Sequence, residues 1–251
     1  GGTASTSAEE NRLSYHYPTL IGAISGSRVE REDDKVSVFT RKGMIEYFRV
    51  NAVIEAKSYD TLLVEDGQVA VKGAPLYIKG KKEIASSENG VVRIIDGRVY
   101  LVGHGATQVV KTGSELHVAT GDYVEAKQPI VTFDPFSEPI VAEEDGFVSF
   151  VDIKLGTTLI EEVNEETGNT EKKITEHSLE SLQPRIEITS EKGGKGDTLA
   201  VYLLPGGSYL QVVDNAKVKK GLVLAKLLKE SIKTKDITGG LPRVGELFEA
   251  R

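Results

Sequence analysis

The stretch ELHVATGDYVEAKQPIVTF, residues 115–133, decides the fold. Apolar and polar residues alternate over short runs, break at Thr120-Gly121-Asp122 and resume for a few residues at a time, a pattern that predicts brief strands joined by tight turns. Working outward, this stretch is the second part of a unit spanning residues 98–133, which opens with the strand RVYLV, turns at Gly103-His104-Gly105 and runs through TQVVK to a Thr-Gly turn. A related unit comes earlier. There KVSVFTR (35–41) and MIEYFRV (44–50) flank Lys42-Gly43 and read as a hairpin. LLVEDGQV (62–69) follows with an Asp-Gly turn, then Lys72-Gly73 and a strand over 75–78. A third unit, residues 185–227, contains RIEIT, a Gly-rich turn from Gly193 to Gly196, TLAVYLL, Pro205-Gly206-Gly207 and YLQVVDNAKVKKGLVLAKL, with Asp214-Asn215 at its turn. The shared core is V-x-(turn)-x-x-V-x-x-(Gly or Lys)-x-x-(Leu or Ile), with a one-residue slip in the first copy. An internal repeat of this kind governs the architecture.

The first two copies continue into tails, EIASSENGVVRII (83–95) and EPIVAEEDGFVSFVDI (138–153), each a strand, a turn ending in Gly90 or Gly146, and an alternating strand. Strand, turn and hairpin in this two-fold order resemble a lipoyl- or biotinyl-type barrel. Strand spacing of about ten residues favours small sandwiches or barrels. The expected fold class is all-β, in tandem small barrel or sandwich domains with a short terminal helix; the family resemblance set out below implies the sandwich-barrel hybrid, hammerhead-like kind. The expected division is a junction and linker at 1–26, a first domain at 27–96, a second at 97–182, a shorter third at 183–234 and a terminal segment at 235–251.

Zero Cys excludes a disulfide framework and thiolate metal sites, and fits a reducing cytosol. The first 11 residues lack the basic and apolar regions of a signal peptide, and a chain opening on Gly-Gly without Met reads as excised from a longer one. No apolar run is long enough to span a bilayer. The net charge of −7 argues against a free-standing nucleic-acid binder. That charge is uneven. Residues 141–180 hold 11 acidic and 3 basic residues, whereas 214–235 hold 7 Lys against 2 acids, so Lys217, Lys219, Lys220 and Lys226 are candidates for contact with DNA or an acidic factor.

The last residues, KDITGGLPRVGELFEAR (235–251), resemble nearly residue for residue the C-terminal half of the trigger loop in the bacterial RNA polymerase beta-prime subunit family. Gly1-Gly2 resembles the point where the first half of that loop gives way to a lineage-specific insertion. TGDYVEAKQPIVTFDPFSEPIVAEEDGFVSFVDI resembles the insertion itself, whose repeated domain is the sandwich-barrel hybrid motif, here with an extra copy. On this resemblance the junction comprises Gly1, Gly2, Thr238, Gly239, Gly240, Leu241, Pro242 and Arg243. Pro242 suits a first helical turn, and Leu241, Val244, Leu247 and Phe248 fall on one side of a helix that Gly245 weakens by about 1 kcal/mol. At the other end Ser7 and Glu10 have capping-box spacing, with a linker as the alternative.

The family's substrate-contacting trigger-loop residues precede Gly1, and its Mg2+-binding aspartates and Zn2+-binding cysteines lie outside this segment. The resemblance therefore implies no catalytic residue, no metal and no cofactor for this chain. It implies a monomeric, non-catalytic module of a cytoplasmic, nucleoid-associated nucleotidyltransferase. Its partners would be other polymerase subunits, downstream DNA and transcription factors, with no membrane. Val102-Gly103-His104-Gly105-Ala106-Thr107 lacks the third Gly and the helix of a dinucleotide fingerprint and reads as a hairpin turn. KGGKGDT (192–198) lacks phosphate-loop spacing. His16, His104, His117 and His177 are isolated in sequence. The alternative function is a biotinyl- or lipoyl-type carrier, which needs a modifiable Lys at a hairpin tip. The second copy has Asp134-Pro135-Phe136-Ser137 there; the first has Lys79, Lys81 and Lys82 without the flanking residues of such sites.

Overall fold

The computed structural model describes residues 6–9, 11–176 and 181–229. The fold is all-β, in small antiparallel sheets, with a single-turn 3-10 element at Ala56–Ser58 among the described residues. Two compact units emerge, each assembled from discontinuous segments: residues 1–26, 43–110 and 116–132 in the first, and 27–42, 111–115 and 133–251 in the second.

In the first unit a six-stranded sheet runs in the order Tyr123–Val124, Thr19–Ser25, Gly43–Ile54, Arg98–Val110, Gly90–Ile95, Val69–Ala70. The long central pair Gly43–Ile54 and Arg98–Val110 carries Val50, Val99, Leu101 and Val102 into the core. A three-stranded sheet of Lys82–Ala85, Pro75–Lys79 and Thr61–Leu62 accompanies it. The second unit holds a five-stranded sheet (Ser137–Val141, Val223–Leu228, Tyr209–Leu210, Thr170–Ile174, Leu159–Val163) and a four-stranded one (Lys195–Leu203, Arg185–Glu191, Gly146–Val151, Lys217–Val218). Its core is Val148, Ile174, Ile186, Ile188 and Leu224, all at 0–1% exposure.

The repeated unit has a definite physical form. Buried or half-buried apolar residues stand at Val64, Ala70 and Leu76, at Val118, Val124 and Ile130, and at Val212, Val218 and Leu224, always six residues apart. Midway between them sits a residue with left-handed backbone: Gly67 and Gly73, Gly121 and Lys127, Asn215 and Gly221, with φ from 65° to 91°. Each donates its N–H to the carbonyl of a neighbouring segment. Gly121 N–H donates to Ile21 O at 2.8 Å and Ile21 N–H returns to Asp122 O at 2.8 Å; Asn215 does the same with Val148, and Gly67–Gln68 with Val92. The expected slip in the first copy does not occur. Ala70 takes the buried place and Val69 is 70% exposed.

Several local expectations are corrected. Gly103-His104-Gly105 is no turn: Arg98–Val110 is one strand, and between Val102↔Val50 and Gly105↔Phe48 it bulges. Neither glycine there has a positive φ. A Cβ on Gly105 would meet the Phe48 ring at 2.9 Å, so this glycine admits an aromatic ring and does not reverse the chain. Lys42-Gly43 is no hairpin turn either. Val36–Phe39 pairs with Arg28–Arg31, reversing through Lys35 at φ 52°, and residues 42 and 43 fall in different units. The segment expected as a linker holds strands Thr6–Glu9, Arg12–Tyr15 and Thr19–Ser25, because Leu13, Tyr15, Leu20 and Ile21 all need burial. Ser7 pairs with Ser14 in the first hairpin and caps no helix. The border expected at 96/97 is the tight turn of the hairpin Gly90–Ile95/Arg98–Val110. The helix expected over 242–248 lies outside the described residues, as does Glu10.

A side chain in left-handed backbone costs about 1–2 kcal/mol. Gly121→Ala, whose Cβ would meet nothing closer than Ile95 Cδ1 at 3.8 Å, should lose about that amount in urea unfolding, from the backbone alone. Lys127→Gly, relieving the same strain at φ 65°, should not destabilise.

Candidate functional site

The lysines singled out in the sequence belong to the third repeat of the turn. Val218 is anchored in the core, so Lys217 and Lys219 on either side face outward. Gly221 then closes the turn, its N–H donating to Ala142 O at 2.7 Å while Lys220 N–H donates to Asp145 Oδ1 at 2.8 Å. Lys226 lies on the following strand, opposite Pro139 and Tyr209. All four lysines line one groove of about 540 Å3.

The groove is not a bare basic surface. Arg31 joins the four lysines, and Glu30, Glu32, Asp33 and Asp145 face them, so five cations meet four carboxylates. Lys219 Nζ lies 2.7 Å from Glu32 Oε2, which raises the Lys219 pKa through that hydrogen bond. The Arg31 guanidinium bonds Asp34 and Glu115 at 2.5 Å each, and its hydrogen bond holds the Asp34 carboxyl below the usual carboxylate range. A Cβ on Gly221 would sit 2.6 Å from Arg31 Cγ, so the glycine permits the hairpin bearing Arg31 and Glu32 to close on the lysine turn. The acids of the groove escaped the sequence reading because they come from residues 30–33 and 145, far from the lysine run. The alternation of strand Arg28–Arg31 places Glu30 outward, whereas Glu32, Asp33 and Asp145 lie outside that strand.

The other sequence candidates are dispersed. The junction residues Gly1, Gly2, Thr238, Gly239, Gly240, Leu241, Pro242 and Arg243 lie outside the described residues, as does His177. His117 Nε2 bonds Thr132 Oγ1 at 2.9 Å, and among the described residues no group of His, Asp and Glu is placed to hold a metal ion. The Gly193–Gly196 region is the tip of a hairpin. At the tip of the second copy Asp134 accepts from Phe136 N–H and Ser137 Oγ in a closed turn; in the first copy Lys79 Nζ is held by Lys57 O and Asp60. No described helix is long and apolar enough to cross a membrane.

Fold and groove together define an all-β module built on one repeated turn and carrying a surface of interleaved charge. No family model matches the chain. Among curated proteins it is 46% identical over its entire length to the DNA-directed RNA polymerase subunit beta' of Treponema denticola. It is 44% identical to the subunits of that name from Treponema pallidum and Borreliella burgdorferi. The chain is thus related end to end to bacterial RNA polymerase beta' subunits, and it spans 18% of the length of each of these relatives.

Exposed ion pairs contribute little to stability. Lys219→Ala should therefore leave the unfolding midpoint in place, whereas Gly221→Ala should lower it more than Gly121→Ala, since Arg31 must also move. Equal midpoints for the two alanine variants would count against close packing of Arg31 on this turn.

Proposed function

We propose that this chain is a non-catalytic module inserted in the trigger loop of the RNA polymerase beta' subunit, where it modulates RNA synthesis in the cytoplasm without touching the chemistry. The observation that carries this reading is the full-length match to only 18% of each relative, with KDITGGLPRVGELFEAR at one end resembling the second half of the loop. In this reading the Mg2+ and Zn2+ of the parent subunit are held by parts of beta' outside this chain. Its partners are the remaining polymerase subunits, the downstream DNA and transcription factors. A trigger loop alternates between two states, and an attached module shifts that equilibrium only through contacts that differ between them. A coupling of about 1–3 kcal/mol changes the closed population roughly 5- to 150-fold, enough to alter pausing.

The groove of Lys217, Lys219, Lys220 and Lys226 is the contact surface in this proposal. Its interleaved carboxylates disfavour a run of phosphates, which needs a net positive field, and suit a protein factor of mixed charge.

Joining Gly2 directly to Gly239 should leave a polymerase that assembles and makes RNA, with altered pause lifetimes and elongation rate. Loss of assembly would make the module a folding scaffold, and kinetics equal to the parent's would end the regulatory reading. Charge reversal at Lys217, Lys219 and Lys220 together should weaken factor binding more than polymerase–DNA crosslinking; if neither changes, the groove is not a contact surface.

A further inference from the structure

The four-stranded sheet of the second unit ends on Lys195–Leu203, which pairs with Arg185–Glu191 and, among the described residues, with no strand on its other side. Leu204 N–H donates to Pro184 O at 3.0 Å. Antiparallel alternation then makes Tyr202 and Ala200 the bonded partners of Ile186 and Ile188, and turns N–H and C=O of Val201 and Leu203 toward the open side. Ala200 and Tyr202 pack on the core, while Leu199, Val201 and Leu203 are 43%, 52% and 63% exposed. Residues 199–203 contain no charge, no Pro and no Gly; the strand bulges at Leu199 and runs in regular register from Ala200 to Leu203, so beyond that bulge the edge lacks the features that normally block pairing. The outer edge of the five-stranded sheet is different. Leu159–Val163 carries Glu161 and Glu162 and is protected by charge.

We propose that residues 199–203 are a docking edge, and that an extended, uncharged, aliphatic segment of the beta' polypeptide outside this chain adds to it as a further strand. This rests on reading the chain as an insertion. Main-chain hydrogen bonds to Val201 and Leu203 would give such a strand its register, and the side chains of Val201 and Leu203 would select apolar residues at alternate positions. A five-residue edge falls far short of the roughly 1,200–2,000 Å2 buried in stable complexes of separate molecules, which disfavours a second copy as occupant. A covalently attached segment has no such requirement, because tethering supplies an effective concentration of order millimolar. The relatives hold more than four-fifths of their length outside the matched region, so the polypeptide has ample length to supply it.

Hydrogen exchange read by mass spectrometry on intact polymerase tests the inference. The amides at 201 and 203 should exchange at least about tenfold slower in the parent enzyme than in a Val201→Lys enzyme, and slower than in the free 251-residue chain. Leu203→Lys is the second variant, and unchanged protection at Ile186 and Ile188 reports an intact sheet in either. Equal exchange in parent polymerase and free chain overturns the docking edge. So does a free chain that is already protected and sediments as a dimer, since the occupant is then a second copy. The Gly2–Gly239 fusion judges the insertion reading separately: altered pausing with an unprotected edge removes the docking edge alone.

Discussion

A single backbone constraint underlies the rest of this structure: a residue held in left-handed conformation, its N–H donated to the carbonyl of a neighbouring strand, repeated after six residues. Strands of two residues such as Lys217–Val218 or Tyr123–Val124 supply little pairing of their own. Buried peptide groups must nevertheless be satisfied. The docked turn does this while returning an apolar side chain to the core at every sixth residue, as at Val118, Val124 and Ile130. Gly113 on Phe39 and Gly207 on Ile174 repeat the bonding pattern once more, eight residues ahead of Gly121 and Asn215. Where the left-handed place is filled by Lys127 or Asn215, the surrounding bonds hold a conformation that a side chain alone disfavours.

The same turn builds the charged groove. Because Val218 and Leu224 are pinned inside, the intervening residues are forced outward, and Gly221 lets another hairpin approach to within contact of its backbone. Glu32 and Asp33 then arrive opposite a lysine run with which they share no local sequence. Exposed pairs of this kind add little to stability and much to the pattern of charge that a partner meets. Electrostatic complementarity of that sort governs which partner is accepted more than how tightly it is held.

Two of the edge strands of the second unit make a related point about packing. Glutamates guard Leu159–Val163, while the aliphatic end of Lys195–Leu203 is bare. A chain that has solved the edge problem in one sheet and left it unsolved in the next carries an uncovered surface of specific chemistry.

By itself the sequence determined the all-β class, the three copies of the turn and the four lysines, because periodic apolar residues and turn formers act over a few positions and leave a local signature. The C-terminal motif likewise carried the relationship to beta' subunits, later found across the whole chain. Tertiary structure alone decided which strands pair. Glycines at 43, 103 and 105 look like turn residues, yet glycine serves equally for a close approach, and only the Phe48 ring against Gly105 distinguishes the uses. The linear order of the copies suggested consecutive domains, whereas residues 27–42 and 111–115 belong with the second unit. The acids of the groove were invisible for the same reason: pairing between residues 75 to 187 positions apart is set by which buried faces match, and nothing in a short window of sequence records that match.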